Sequence, residues 1–137
     1  MTAPHIVTPQ RSGVYRTPAD APSLVARVVA AGGQGVSADL ARVRSKAALM
    51  ETLAGALVLP ATFGANWDAL ADSLQDLPIA PQGLLLHLAH GAAAGQALGG
   101  DWLTFIEILQ DAARYWKEHG KAFVVFIDDA SALPAWT

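Results

Sequence analysis

Three aspartates recur at intervals of four residues in the middle of the chain: Asp68, Asp72 and Asp76. In a helix, residues four apart lie one above the other, so the three carboxylates are expected to form a row on one face. Like charges at this spacing destabilise an isolated helix by about 0.2–0.5 kcal/mol per pair. No lysine or arginine occurs between Lys46 and Arg114 to offset them locally in sequence. The row is therefore either a tolerated, solvated polar face or a surface that receives a basic partner.

Asp68 and Asp72 differ in how far helix physics explains them. A carboxylate in the first turn is favoured by the helix dipole by about 0.3–1 kcal/mol, which accounts for Asp68. Asp72 lies one turn further on and has no such explanation. A glycosidase-like use of the pair is not supported, because the sequence gives no cleft signal and no environment that would push their two pKa values apart.

Two helices and the turn between them are predicted to position this row. Ser45 is a candidate N-cap for a helix with apolar residues at 3.6-residue spacing, stopped by Pro60. Asn66 can cap the next helix, which is predicted to run to Leu77 and to end before Pro78. The apolar stripe of this second helix consists of Trp67, Leu70, Ala71, Leu74 and Leu77.

Strands and helices are predicted to alternate along the rest of the chain. The apolar spacing predicts helices over 23–31 and 101–119 and strands over 34–40, 84–89 and 123–128. Gly91–Gly100, rich in glycine and alanine, is predicted to be a flexible connection. Strands separated by helices imply parallel pairing, so we expect a three-layer α/β fold with a small, mainly parallel three-stranded sheet flanked by helices.

The two ends of the chain are less periodic than its middle. Residues 1–21 are rich in proline, which predicts an extended arm in which Val14 and Tyr15 dock on a single domain formed by residues 22–137. Trp136 either packs back on the sheet or is disordered, and the sequence does not decide between the two.

Composition limits the function classes. The chain has no cysteine, which excludes disulfides, thiolate zinc sites and cysteine nucleophiles and suits the reducing cytoplasm, where we expect the protein. Its net charge is −3, and no stripe of lysine and arginine interleaves with aromatics, which argues against direct nucleic-acid binding. No apolar run approaches the roughly 20 residues of a membrane span, and no secretion signal is visible.

The sequence offers no candidate for catalysis or metal binding. His87 and His90 are three apart on or just after a strand, where alternation points them to opposite faces, which argues against a shared metal ion. No Gly-x-Ser-x-Gly elbow supports serine chemistry. We therefore expect no catalytic residue, no metal and no cofactor, and we predict that the protein is not an enzyme.

Residues 59–74 resemble the signature of barstar-like ribonuclease inhibitors. The family pattern is a helix ending in Leu-x-x-Pro, an aromatic-Gly-x-Asn turn, and a helix carrying Asp-Ala-Leu-x-Asp. The predicted order of elements extends the resemblance over roughly residues 34–128. It implies a barstar-like fold that inhibits a ribonuclease by occluding its basic active site, without a cofactor. By position, Asp68 and Asp72 are then the aspartates that face the partner's basic groups. The implied partner-binding residues are Thr62, Phe63, Gly64, Asn66, Asp68, Ala71, Asp72 and Gln75.

Two positions depart from the family's best-known member. Thr62-Phe63 stands where that member has two aromatics, and Ala71 stands where its binding helix carries an aromatic. Fewer aromatic anchors predict weaker or redirected binding. The alternative is therefore a barstar-fold interaction module or antitoxin for a partner that is not a ribonuclease. Candidates for the family's additional contact on the last helix are Glu107, Asp111 and Tyr115.

Overall fold

The computed structural model describes residues 6–60, 64–128 and 132–137. Its strands are β1 (Gly13–Arg16), β2 (Gln34–Asp39), β3 (Leu84–Ala89) and β4 (Phe123–Ile127), and a 3-10 helix over Pro9–Arg11 precedes them. Its α-helices are α1 (Ala21–Ala30), α2 (Lys46–Leu57), α3 (Trp67–Leu74), α4 (Gly91–Leu98) and α5 (Gly100–Glu118).

The four strands form one sheet in the order β1-β4-β3-β2, and every neighbouring pair is parallel. The expectation of an α/β fold with helices flanking a parallel sheet is confirmed, but the expectation of three strands is wrong. The fourth strand is β1, which pairs Gly13 with Val124 and Arg16 with Ile127. It is four residues long and only Val14 is buried, so it gives little alternation to detect. The boundary drawn between residues 21 and 22 stays a prediction.

Alternate residues of the central strands build two separate cores. Leu84, Leu86 and Leu88 of β3 point to one face, where α2, α3, α4 and α5 supply the larger apolar cluster. Leu85 of β3 points to the other face, together with Val124 and Phe126 of β4. Both central strands are therefore covered on two sides, which explains why they read as continuous apolar runs.

Segments from both ends of the chain cover the second face of the sheet. Leu24 and Val28 of α1 pack on it, and Trp136 joins them from the C-terminal end. The Trp136 ring lies edge-on to Tyr15, with centroids 5.0 Å apart, and to Phe126, at 5.2 Å. Trp136 thus packs back on the sheet, which was one of the two alternatives left open by the sequence.

The prediction of a flexible connection over Gly91–Gly100 is wrong, because most of it forms α4. Alanine has the highest intrinsic helix propensity, and four alanines lie in this helix. Its glycines mark close packing: a Cβ on Gly95 would lie 3.2 Å from the Trp102 indole nitrogen, and one on Gly91 would lie 3.0 Å from the Asp128 carbonyl oxygen. Within the described ranges, no helix is both long and apolar enough to cross a bilayer.

Candidate functional site

The acidic helix α3 begins at a well-formed cap. The Asn66 side-chain oxygen accepts a hydrogen bond from the Ala69 N–H at 2.7 Å, which confirms Asn66 as the N-cap. Gly64 lies close to this cap, because a Cβ added there would come within 3.3 Å of the Asn66 side-chain nitrogen. Ala65, between them, has a left-handed backbone with a φ of 52°. The turn therefore fixes the direction in which α3 leaves it.

The apolar side of α3 anchors the helix to the core. Leu70 and Leu74 are fully buried, and the Trp116 indole N–H of α5 donates a hydrogen bond to the Leu74 carbonyl oxygen at 2.8 Å. Near the N-terminal end of α3, the Lys46 ammonium lies 4.9 Å from the centroid of the Trp67 ring. The fold thus brings the Lys46 cation close to Trp67 of α3, although the two residues are 21 positions apart in the sequence.

Asp68 and Asp72 lie on the exposed side of α3. Among the residues that the structure describes, neither carboxylate forms an ion pair with a lysine, arginine or histidine. The helix dipole favours a negative charge in the first turn, where Asp68 lies, and does not reach Asp72 to the same extent.

Asp76 lies outside α3, so the expected row of three carboxylates on one helix is wrong. The helix ends at Leu74, and the Gln75 N–H closes it on the Ala71 carbonyl oxygen at 3.2 Å. Leu77 precedes a proline, which disfavours the helical conformation at that position and explains the early end. Asp76 instead occupies a turn in which its N–H donates to the Ser73 carbonyl oxygen at 3.2 Å.

The predicted partner-binding residues fall into two groups. Asp68, Ala71, Asp72 and Gln75 are three or four positions apart and share one side of α3, on which both aspartates are exposed and Ala71 and Gln75 are half-buried. Gly64 and Asn66 are exposed in the turn before it. Thr62 and Phe63 lie outside the described residues.

A comparison with protein-family models matches residues 34–128 to the family described as Barstar (barnase inhibitor). The match covers well over half of the chain. The chain belongs to the barstar family. A comparison with curated proteins returned no match.

The barstar-family match begins at β2 and ends after β4. It therefore includes α3 and the loop that precedes it. The described residues 6–33, which contain the 3-10 helix, β1 and α1, and residues 132–137 lie outside it. These are parts that extend the barstar-family sheet by one strand and cover its second face.

The three candidates for an additional partner contact on α5 differ in their surroundings. Asp111 pairs with Arg114 at 3.0 Å, and both side chains are about two-thirds exposed. The Tyr115 ring stacks on His119 with centroids 4.0 Å apart. Glu107 is exposed. Tyr115 directly precedes the Trp116 that holds α3, so of the three it is the neighbour in sequence of a residue in contact with the acidic helix.

A second polar cluster lies at the carboxyl ends of three neighbouring strands. The His87 ring nitrogen Nε2 is 2.9 Å from the Asp128 carboxylate, which also accepts the His90 backbone N–H at 2.9 Å. The His90 ring nitrogen Nδ1 is 2.9 Å from the Asp39 carboxylate. Burial raises the pKa of Asp128, but the polar side chain of Thr17, the His90 backbone N–H and the His87 ring together outweigh it, so that the pKa lies below its ordinary value of 3.8.

Sequence reasoning missed this cluster, although a signal for it was present. Alternation along β3 separates His87 from His90 only as long as the strand lasts, and β3 ends at Ala89, before His90 turns back with a φ of 59°. Parallel strands bring their carboxyl ends to one edge, so Asp39 and Asp128 could have been placed beside them. In the described part of the chain, no three histidine or carboxylate side chains are grouped as metal ligands would be.

Proposed function

We propose that this chain is a protein inhibitor of a ribonuclease. It binds with the exposed side of α3 and the loop before it, and it occludes a basic active site. One observation carries the proposal: Asp68 and Asp72 are exposed on an anchored helix and have no ion-pair partner among the described residues. Membership in a family of ribonuclease inhibitors supports it.

The chemistry of the interface follows from what a ribonuclease must bind. Such an enzyme holds RNA phosphates with arginine, lysine and histidine side chains. The carboxylates of Asp68 and Asp72 accept the same charge-assisted hydrogen bonds and so exclude the substrate, with no bond made or broken. The net charge of −3 favours encounter with a basic protein.

A partner other than a ribonuclease is the second candidate. Ala71 favours it, because this small, half-buried residue lies at the edge of the exposed side of α3, beside the aspartates, and offers no aromatic contact area. The same surface would then bind another toxin or a cellular regulator through its carboxylates. Direct binding of RNA is not supported, since α3 carries no cation.

The test is a titration of the purified chain into an assay of a basic, guanyl-specific microbial ribonuclease. We expect stoichiometric inhibition by the natural chain. The Asp68→Ala/Asp72→Ala variant is expected to lose it while keeping the circular dichroism spectrum, because both side chains are exposed and have no ion pairs in the described structure to lose.

The matched control removes two carboxylates elsewhere. Asp20 precedes α1, on the opposite face of the sheet, and Asp101 lies in the first turn of α5, about 20 Å along that helix from Trp116. The Asp20→Ala/Asp101→Ala variant should inhibit like the natural chain. Equal loss of inhibition in both double variants would mean that net charge, and not α3, determines binding. Loss of folding in Asp68→Ala/Asp72→Ala would make these carboxylates structural.

A further inference from the structure

A cavity of about 430 Å³ lies beyond the C-terminal end of α3. Its walls come from the end of α2, the turn after α3 and the edge strand β2, and they are largely apolar. The residues that matter most for its chemistry are Val36, Leu57, Val58, Asp76, Leu77 and Ile79. The volume is in the range of sites that enclose a small ligand or a large side chain. Its walls reach the surface, because Asp76 and Val58 are both exposed.

Three negative features converge on this largely apolar cavity. The C-terminal end of α2 contributes Ala56 and Leu57 to the wall, and the C-terminal turn of α3 contributes Ser73. The end of a helix carries a partial negative charge, which a carboxylate at the same end reinforces. Asp76 is that carboxylate, and it has no ion pair within the described residues. The site therefore favours a cation that also carries an apolar body.

Val58 gives a second, independent observation on the rim. Its side chain is 85% exposed, and its backbone is left-handed with a φ of 53°. A β-branched residue is a genuine outlier in this region, which glycine normally occupies at the end of a helix. Val58 ends α2 as its left-handed cap, and its exposed apolar side chain adds contact area beside the cavity.

We propose that this cavity receives a long cationic side chain, an arginine or lysine, of the protein partner. The methylene stem lies along the apolar wall and the cationic head meets Asp76. Asp76 lies four residues after Asp72, in the turn that follows α3, so one partner surface reaches both carboxylates. The inference rests on the proposed function. It adds a cation-binding cavity to the contacts that the two aspartates of α3 supply.

The first test uses n-butylguanidinium as a probe of the isotope-labelled full chain, read by backbone amide chemical shifts. We expect saturable shifts at residues that line the cavity, with a dissociation constant on the order of a few millimolar. Its neutral counterpart, n-butylurea, should give much smaller shifts. The Asp76→Asn and Ser73→Phe variants should lose the response, and Ser73→Ala, which adds no volume, should keep it. Shifts that do not saturate, or equal shifts with n-butylurea, would contradict the proposal that the cavity binds a cationic side chain.

The second test measures the ribonuclease complex, with the stability of each variant checked by thermal unfolding. Asp76→Asn and Ser73→Phe are each expected to raise the dissociation constant by about tenfold or more, while Ser73→Ala has little effect. If Asp72→Ala weakens the complex and the two cavity variants do not, the cavity does not receive a partner side chain and the proposed function stands. If the natural chain binds the probe but no ribonuclease, the proposed function fails and the cavity remains a cation-binding site.

Discussion

At the scale of single residues, Asn66 decides where the acidic helix begins. Its side chain satisfies the Ala69 N–H, and no other side-chain cap of α3 occurs among the described residues. We expect Asn66→Ala to lower the free energy of unfolding by about 1 kcal/mol, measured by urea denaturation. Asn66→Asp keeps an acceptor at the cap and should cost much less. Equal losses in both variants would show that the cap hydrogen bond is not what stabilises this turn.

Replacing Val58 is expected to stabilise the chain, because a β-branched side chain is unfavourable at its left-handed backbone conformation. A left-handed backbone costs a residue with a Cβ about 1–2 kcal/mol, and glycine avoids this cost but loses more chain entropy on folding. We therefore expect Val58→Gly to raise the free energy of unfolding by about 0.5–1 kcal/mol. Val58→Ala, which keeps a Cβ, should gain less. A destabilised Val58→Gly variant would mean that the exposed valine makes contacts that outweigh its strain.

At the scale of elements, the carboxyl ends of the parallel strands bring Asp128 to His87 and His90. The pKa of Asp128 is lowered in the folded chain, so the carboxylate contributes stability above pH 3.8 and loses it as the pH falls through the lowered value. We expect Asp128→Asn to cost about 1–2 kcal/mol at pH 7.

The pH dependence of this loss is the diagnostic part of the prediction. The difference in unfolding free energy between the natural chain and Asp128→Asn should shrink as the pH falls from about 4, where the carboxylate of the unfolded chain is protonated, through the lower pKa of the folded chain. Chemical denaturation at a series of pH values measures it. A difference that stays constant from neutral to acid pH would assign the effect to shape or packing and not to the charge.

Among the helices, those with a local capping or spacing signal were predictable from the sequence. Caps and 3.6-residue spacing located α2 and the start of α3, because Ser45 and Asn66 make the bonds that their residue types favour. The end of α3 and the whole of α4 were misjudged. In α4 the four alanines favour a helix, but glycine is a poor helix former, and its fit against Trp102 and Asp128 depends on the tertiary fold.

The site shows the same division between local and long-range information. The exposed side of α3 follows from spacing alone, and so Asp68 and Asp72 were predicted on it. The cavity beside Asp76 was not predictable, because it needs the end of α2, the turn after α3 and the edge strand β2 together. The contact of Lys46 with Trp67 was equally hidden, since it joins the first turn of α2 to the first turn of α3.

At the scale of the whole molecule, segments outside the barstar-family match cover the second face of the sheet. Trp136 contacts Tyr15 and Phe126, and the Arg11 guanidinium lies 3.4 Å from the centroid of its ring. We expect Trp136→Ala to lower the free energy of unfolding by about 2 kcal/mol, because aromatic and cation–π contacts on the second face are lost together. Trp136→Phe should retain part of this energy. An unchanged thermal unfolding midpoint in Trp136→Ala would show that this end is not integral to the fold.

In the proposed mode of inhibition, the chain occupies the partner's active site with α3. The most direct measurement is the steady-state kinetics of the guanyl-specific ribonuclease at several RNA concentrations, with and without the natural chain. Occlusion predicts competition with RNA, so the apparent inhibition constant, fitted with allowance for depletion of the free inhibitor, rises as the RNA concentration is raised above KM. An apparent inhibition constant that stays the same at every RNA concentration would contradict this proposal, because the chain would then bind away from the site that holds RNA.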